Sequence, residues 1–133
     1  MSELKVETQR RTQLLDVTAQ ITALVEGVEG SLVTLFVPHT TAGIVLQAAG
    51  EGATAVAGDV EAALDRIVDE SWSWEHVHEG DANPWSHVRT ALTASSVSIP
   101  LDGGSLGLGA HQAVFLAEFD GPRERTIRVI VSR

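Results

Sequence analysis

Two tight turns divide the last third of the chain into strands. The sequence there reads SSVSIPL, a DGG turn, SLGLG, then HQAVFLAEF, a DGPRE turn and RTIRVIV. Apolar and β-branched runs separated by Gly and Pro predict an antiparallel sheet with short connections. In the strand before DGPRE, Ala113, Phe115 and Ala117 face one way, and Val114 and Leu116 face the other. Both faces are apolar, which predicts a sheet covered on both sides by another sheet, by helices or by a subunit.

The first half of the chain predicts further strands. LKVETQ alternates near the N-terminus, and SLVTLFVP is rich in β-branched and aromatic residues. Pro38 closes the second of these strands directly before HTTAG, and Ile44 to Leu46 are predicted to continue as another strand.

Three stretches carry the periodicity of helices. Asp16 is predicted to cap the first of them, and Asn83 before Pro84 predicts the start of a short third helix that holds His87 on the same face as Asn83. The second helix, over 53–69, is the best defined. The predicted apolar faces are Val17, Ile21, Leu24, Val25 and Val28 in the first helix, Val56, Val60, Leu64, Ile67 and Val68 in the second, and Trp85, Val88 and Leu92 in the third.

These patterns predict a single α+β domain over residues 1–133, with mainly antiparallel, sandwich-like sheets and two or three helices. The chain has no Cys, which excludes disulfides and thiolate metal sites. Its apolar runs are far shorter than the ~20 residues of a membrane span, so a cytoplasmic protein without a membrane partner is expected. A net charge of −9 argues against a nucleic-acid partner. The segment Glu51–Asp81 holds nine of the 18 acids and one basic residue, Arg66, and would repel an anion unless a cation binds there.

Histidines are the residues best suited to chemistry, and three of the five lie in the segment HVHEGDANPWSH. The helical H-E-x-x-H zinc signature is absent. Neutral imidazoles with one carboxylate still make a usual shell for zinc or a similar divalent ion, so a metal or catalytic site stands beside the simpler interpretation of polar turns and surface histidines. The five are His39, His76, His78, His87 and His111.

Other motifs allow weaker alternatives. Ser86 beside His87 invites a nucleophile, as do Ser95 and Ser96, but no G-x-S-x-G elbow is present. The glycines of DGGSLGLG lie between strands and favour a hairpin over a phosphate loop.

Two further motifs could contact a ligand. Thr40 and Thr41 of HTTAG either contact a ligand or satisfy the backbone at a strand end. Arg123 and Arg125 either clamp an anion or form a solvated hairpin tip.

Taken in order, three motifs resemble one family. FVPHTTAG, the pattern H-x(4)-D-x-N-x(3)-H from His76 to His87, and LTASSVSIPLDGGSLGLGAHQAVFLAEFDGPRER are similar to the small YjbQ-type proteins, also called secondary thiamine-phosphate synthases. The resemblance covers nearly the whole chain. It implies a compact sandwich-like α+β fold, a homotrimer and a site built around three histidines.

Carried over by position, the resemblance implies a thiamine-phosphate synthase reaction. A pyrimidine pyrophosphate would be joined to a thiazole phosphate with loss of pyrophosphate, with a divalent metal, zinc or magnesium, as cofactor. The implied catalytic residues are His39, His76, His87, Asp81 and Asn83, the metal ligands are His39, His76 and His87, and the substrate-binding residues are Thr40, Thr41, Gln112, Glu118 and Arg123.

Two departures from the family pattern bear on the chemistry. The family usually has an Asn-Glu pair and a following Asp after HTTAGIVLQ, where this chain has Ala48, Ala49 and then Glu51. The family usually has Trp-Gln where this chain has His111-Gln112.

Three hypotheses follow for the function. The first is a transferase or hydrolase acting on a small phosphorylated heterocycle. The second is a non-catalytic trimer that binds a metal or an anionic metabolite, and the third is a structural trimer with a degenerated site.

Overall fold

The computed structural model describes residues 1–77 and 82–133, which form eight strands and three helices. The strands are β1 (Ser2–Glu7), β2 (Gln13–Asp16), β3 (Leu32–Phe36), β4 (Ala42–Ala48), β5 (Ser96–Asp102), β6 (Ser105–Leu106), β7 (Gln112–Glu118) and β8 (Glu124–Ser132). The helices are α1 (Thr18–Val25), α2 (Ala53–Ile67) and α3 (Pro84–Ala91).

The strands form two antiparallel sheets. One has the order β1-β8-β3-β5-β6, and the other has the order β2-β7-β4. Buried residues of both sheets and of α1 share one hydrophobic core, so the sheets pack face to face as a sandwich. The α+β fold with mainly antiparallel sheets is therefore confirmed.

Strand β7 is buried on both sides, as its sequence predicts. Val114 and Leu116 point into the core between the sheets. Ala113, Phe115 and Ala117 point the other way, into a second core that includes Ala57 of α2. The outer face of this strand is thus covered by a helix, and the layers run sheet, sheet, α2.

The first helix starts later than the sequence predicts. Strand β2, which the sequence analysis missed, extends to Asp16, and Val17 is the residue before α1. The Asp16 carboxylate accepts hydrogen bonds from the Thr18 N–H at 2.9 Å and from its hydroxyl at 2.7 Å. Asp16 therefore stabilises the turn into the helix without being its N-cap, because it still pairs with Phe115 in the sheet.

The apolar face predicted for α2 is correct in its first part only. Val60 and Leu64 pack against the second core, and Val68, just past the helix, is buried. Ile67, in the last turn of the helix, is 59% exposed, so the predicted face is buried only in part.

The predicted apolar face of α3 is wrong. Val88 and Leu92 are exposed, and the buried positions are Pro84, Ser86 and Arg89. The reason is polar anchoring: the Ser86 hydroxyl donates to the Phe119 carbonyl at 2.6 Å. The helix is therefore oriented by hydrogen bonds and not by an apolar stripe.

Arg89 is the second polar anchor of α3. Its guanidinium donates to the Val68 carbonyl at 2.8 Å and lies 3.3 Å from the Asp65 carboxylate. It is 1% exposed. It fixes α3 against the end of α2, where the last carbonyls of a helix lack partners within the helix.

The glycine-rich segment is a hairpin, as favoured above. Gly103 and Gly104 connect β5 and β6 and have φ values of +59° and +81°, which glycine adopts without strain. None of the three described helices is long and apolar enough to cross a membrane.

Candidate functional site

His76 and His87 lie together between the end of α2 and the start of α3. Their ring centroids are 5.4 Å apart, and the rings meet edge to face at 68°. His76 lies in the segment that follows α2, and His87 is in the first turns of α3. The structure thus brings together two of the three predicted histidines.

An open groove of about 500 Å³ runs beside this pair. We call it the Trp74 groove. The residues lining it are Ser73, Trp74, Glu75, His76, Pro84, His87 and Val88.

Asn83 connects His76 to the turn after β7. It stands at the N-cap position of α3, but its side chain makes no capping hydrogen bond. Its Nδ2 donates to the Asp120 carboxylate at 2.6 Å, and its Oδ1 lies 3.1 Å from His76 Nε2. Because a carboxylate only accepts, the amide NH₂ must face Asp120 and Oδ1 must face His76. His76 Nε2 therefore carries a proton, and in the neutral ring Nδ1 is an acceptor.

Asp120 also holds Arg123. The Arg123 guanidinium donates to the Asp120 carboxylate at 2.8 Å and to its carbonyl at 3.0 Å. The Arg123 side chain is 48% exposed, so part of the guanidinium still faces solvent. A continuous hydrogen-bonded chain therefore runs from His76 through Asn83 and Asp120 to Arg123.

A buried ion pair between Glu118 and Arg125 stabilises the turn that contains Asp120. Glu118 and Arg125 are 0% and 3% exposed, and Arg125 Nε donates to Glu118 at 2.7 Å. The same carboxylate accepts from the Thr8 hydroxyl and the Asp120 N–H, both at 2.9 Å. Burial alone would raise the pKa of Glu118, but the hydrogen bonds and charge of Arg125 and the Asp120 N–H together lower it.

Glu118 is thus a buried positioning residue, and the substrate contact that its place in the family pattern implies stays a prediction. Thr41 is in the same buried network, because its hydroxyl accepts a hydrogen bond from Arg125 at 2.8 Å. The neighbouring Thr40 is exposed.

His39 lies past the end of β3, against β8. Its Nε2 accepts the Thr126 N–H at 3.0 Å, a donor beyond the last β3–β8 pair, Phe36 and Arg128. Burial lowers the pKa of His39, and the charges of Arg125, Arg123 and Arg128 lower it further, against the opposing effect of Glu118. We call these three arginines, which lie within three residues of Thr126, the arginine cluster.

The three predicted metal-binding histidines are not gathered around one point. Within residues 1–77 and 82–133, no group of three or more His, Asp or Glu side chains could hold one metal ion. In His39, Nε2 is already engaged with Thr126, and in His76 it is engaged with Asn83. Asp81 and His78 lie outside the described residues.

Gln112 and His111 lie far from this site. Gln112 and Glu118 stand at opposite ends of β7, roughly 20 Å apart at ~3.4 Å per residue. The Gln112 side chain accepts the Gly109 N–H at 2.8 Å. Within one chain, the structure therefore does not bring Gln112 to the predicted substrate.

The two departures from the family pattern lie next to each other at this far end. Ala48 pairs with Gln112, and the Ala49 N–H donates to the His111 carbonyl at 3.0 Å. The two departures form one local change. Neither belongs to the series of hydrogen bonds that runs from His76 to Arg123.

The serine alternative finds no support at Ser86, which is fully buried with its hydroxyl bound to a carbonyl. Asp120 is the main site residue that sequence reasoning missed. It stands in the DGPRE turn, directly after β7, and its proximity to Arg123 was the available signal.

The sequence and fold were compared with those of known proteins. The family model described as UPF0047 protein YjbQ-like matches residues 2–133. A UPF0047 protein of Methanothermobacter thermautotrophicus is 35% identical over 98% of this chain and 90% of its own. The UPF0047 protein YugU of Bacillus subtilis is 29% identical over 95% of this chain and 94% of its own.

Solved structures agree with these matches. A YjbQ/UPF0047 family protein from Clostridium acetobutylicum superposes with a TM-score of 0.87 at 31% identity, over 98% of this chain and 99% of its own. A YbjQ-like protein of unknown function from Sulfolobus solfataricus superposes with a TM-score of 0.88 at 31% identity, over 99% of this chain and 96% of its own.

Proposed function

The chain belongs to the UPF0047 YjbQ-like family, and from this premise we propose that it is a transferase of the thiamine-phosphate synthase type. It joins a pyrimidine pyrophosphate to a thiazole phosphate and releases pyrophosphate. Its site comprises the arginine cluster, His39, and the chain from His76 through Asn83 and Asp120 to Arg123.

The observation that carries the proposal is the arginine cluster itself. In a protein of net charge −9, the partly buried His39 accepts the Thr126 N–H, within three residues of Arg123, Arg125 and Arg128. Arg125 is committed to Glu118 and Thr41, whereas Arg123 faces solvent in part. Arg128 Nε is buried and has no hydrogen-bond partner among the described residues. Guanidinium donors bind phosphate oxygens well, so this cluster suits a phosphorylated ligand in an otherwise acidic protein.

The proposed reaction requires no redox partner. A thiazole ring nitrogen attacks the carbon that bears the pyrophosphate, a C–N bond forms, and the C–O bond breaks. The electron pair of that bond leaves with the pyrophosphate oxygen. The cluster stabilises the charge that develops on this leaving group, which is the usual protein contribution to such a displacement. The proposal assigns proton exchange with the leaving group to His76 and its neighbour His87, whose ring centroids are 5.4 Å apart.

We assign no step to a metal held by the protein, because the described residues offer no group of three ligands. The zinc or magnesium ion predicted at His39, His76 and His87 stays a prediction. Metal analysis of protein purified without a His tag tests it. About one ion per chain, lost in His87→Ala, would support the centre, and metal-free protein with full activity would contradict it.

A non-catalytic protein that binds an anionic metabolite is the second candidate. The observation that favours it is the absence of the family's Asn-Glu pair, because this chain has Ala48 and Ala49 there. Such a protein would bind the same phosphates at the arginine cluster without releasing pyrophosphate.

The test is a steady-state assay of thiamine phosphate formation with an Arg123→Ala variant. A lost hydrogen bond to a charged group costs about 1.5–3 kcal/mol, so kcat/KM should fall roughly 10- to 150-fold. Arg66→Ala removes an equal charge from the exposed last turn of α2 and should change kcat/KM less than about twofold. Equal effects of the two substitutions would contradict the assignment.

A further inference from the structure

We infer that the Trp74 groove is the subsite for the flat heteroaromatic ring of the phosphorylated substrate. This inference rests on the proposed function, and it adds a recognition element that lies outside the arginine cluster. It makes Trp74 a specificity-determining residue.

The walls of the groove suit a flat ring. Trp74, Pro84 and Val88 provide aromatic and aliphatic surface, and Val88 is 37% exposed. Small-molecule sites typically combine such apolar walls with a few polar groups that fix orientation. A volume of about 500 Å³ is enough for one ring with its substituents.

Trp74 is held in place by its own contacts. Its indole N–H donates to the Glu70 carbonyl at 3.1 Å, and its ring lies 5.7 Å from that of Trp72 at an angle of 35°. An indole fixed in this way offers a preorganised stacking surface, so less conformational entropy is lost when a ring binds.

The polar groups of the groove match the edge of a nitrogen heterocycle. His76 and His87 both line it, and His76 presents an Nε2 proton to Asn83 and an acceptor at Nδ1. The free Nδ1 of His76 can therefore accept a hydrogen bond from an amino group on the ring.

Hydrogen bonds link the groove to the arginine cluster. His76 lines the groove, and the hydrogen-bonded chain from it through Asn83 and Asp120 ends at Arg123 of the arginine cluster. A ligand with a ring at one end and a pyrophosphate at the other would span the two. Charge complementarity sets its direction, with the anionic end at the arginines.

Calorimetric binding of two probes at fixed salt and magnesium tests the inference. The probes are inorganic pyrophosphate and the pyrimidine pyrophosphate, which differ by the ring. Trp74→Ala should weaken binding of the ring-bearing probe by at least about fivefold and leave pyrophosphate binding unchanged. Arg123→Ala should weaken both probes by a similar factor.

Val28→Ala is the control, because Val28 is apolar, is 38% exposed and does not line the groove. It should change neither affinity more than about twofold. The folding of each variant is checked by thermal unfolding, and Trp74→Phe, which keeps a stacking surface, should recover most of the affinity for the ring-bearing probe.

Failures of the two proposals are distinguishable. If pyrophosphate binds but the ring adds no affinity in the wild type, or Trp74→Ala is silent, the ring subsite is overturned and the phosphate site stands. If neither probe binds, the proposed function itself fails. If Trp74→Ala changes the oligomeric mass without changing either affinity, the groove is a contact between copies of the chain and the inference is overturned.

Discussion

Asn83 donates its side-chain amide to the Asp120 carboxylate at 2.6 Å, although it stands where a helix-capping side chain is expected. The helix start is thereby tied to the turn after β7, and His76 is tied to both. The position therefore contributes to the arrangement of the site and not to a cap.

Asn83→Asp separates these two roles. Asp caps helices as well as Asn does, so a capping role predicts unchanged stability. In the structure, the substitution places a second carboxylate against Asp120 and removes the donor. We expect a loss of about 1.5–3 kcal/mol in the free energy of unfolding at pH 7, measured by urea denaturation, and reduced turnover. A variant as stable as the wild type would show that the Asn83–Asp120 hydrogen bond has no energetic role.

Glu118→Gln should be strongly destabilising. It leaves Arg125, which is 3% exposed, without its counter-charge, and breaking one half of a buried pair costs about 3–5 kcal/mol. Glu124→Gln is the control, because Glu124 pairs with Lys5 at 3.7 Å at the surface and should cost less than about 1 kcal/mol. Comparable shifts in urea midpoint for the two variants would contradict the role assigned to the buried pair.

The Glu118 carboxylate also makes the stability of the fold depend on pH in the acid range. The pKa of Glu118 is lowered in the folded chain, so its contribution is fully present above its ordinary value of 4.5 and is lost as pH falls through the folded-state pKa.

His39 affects the pH dependence of stability at a higher pH than Glu118 does. Burial and the neighbouring arginines lower its pKa, so below its ordinary value of 6.5 the unfolded chain binds more protons than the folded chain. Stability should therefore fall as the pH drops below about 6.5, before Glu118 titrates. His39→Gln should flatten the stability profile between pH 6.5 and 5. Identical profiles for wild type and His39→Gln would refute this.

We expect a homotrimer in solution, as the family resemblance implies. Large apolar side chains remain exposed on the single chain, including Ile67 at 59% and Leu92 at 57%, and association would cover some of this surface. Sedimentation equilibrium at micromolar protein should give a mass near three times 14.1 kDa. A mass of one chain that persists at high concentration would exclude the trimer.

The sequence predicted the sheets well because strand alternation and turn residues are local signals. The two apolar faces of residues 113–117 correspond to two separate cores. The sequence predicted the start of α3 correctly but not its buried face, because Arg89 and Ser86 carry the packing and polar anchors of this kind leave no hydrophobic period to detect.

For the site, the sequence identified the His76–His87 pair and Asn83 but not their geometry. Asp120 reaches Asn83 only through the fold, 37 residues along the chain. Within one chain, six steps along β7 separate Gln112 from Glu118 by roughly 20 Å, so a substrate contact at Gln112 stays a prediction.

The most direct test of the central claim is the release of pyrophosphate from the pyrimidine pyrophosphate, measured with and without the thiazole phosphate. Wild-type protein should release pyrophosphate only when both are present, in equal amounts with thiamine phosphate. His76→Ala should slow this release about 100-fold or more, as expected for loss of a group that transfers a proton, while His111→Ala should not. Release without the thiazole phosphate would indicate a hydrolase, and no release despite binding of both compounds would identify a non-catalytic binding protein.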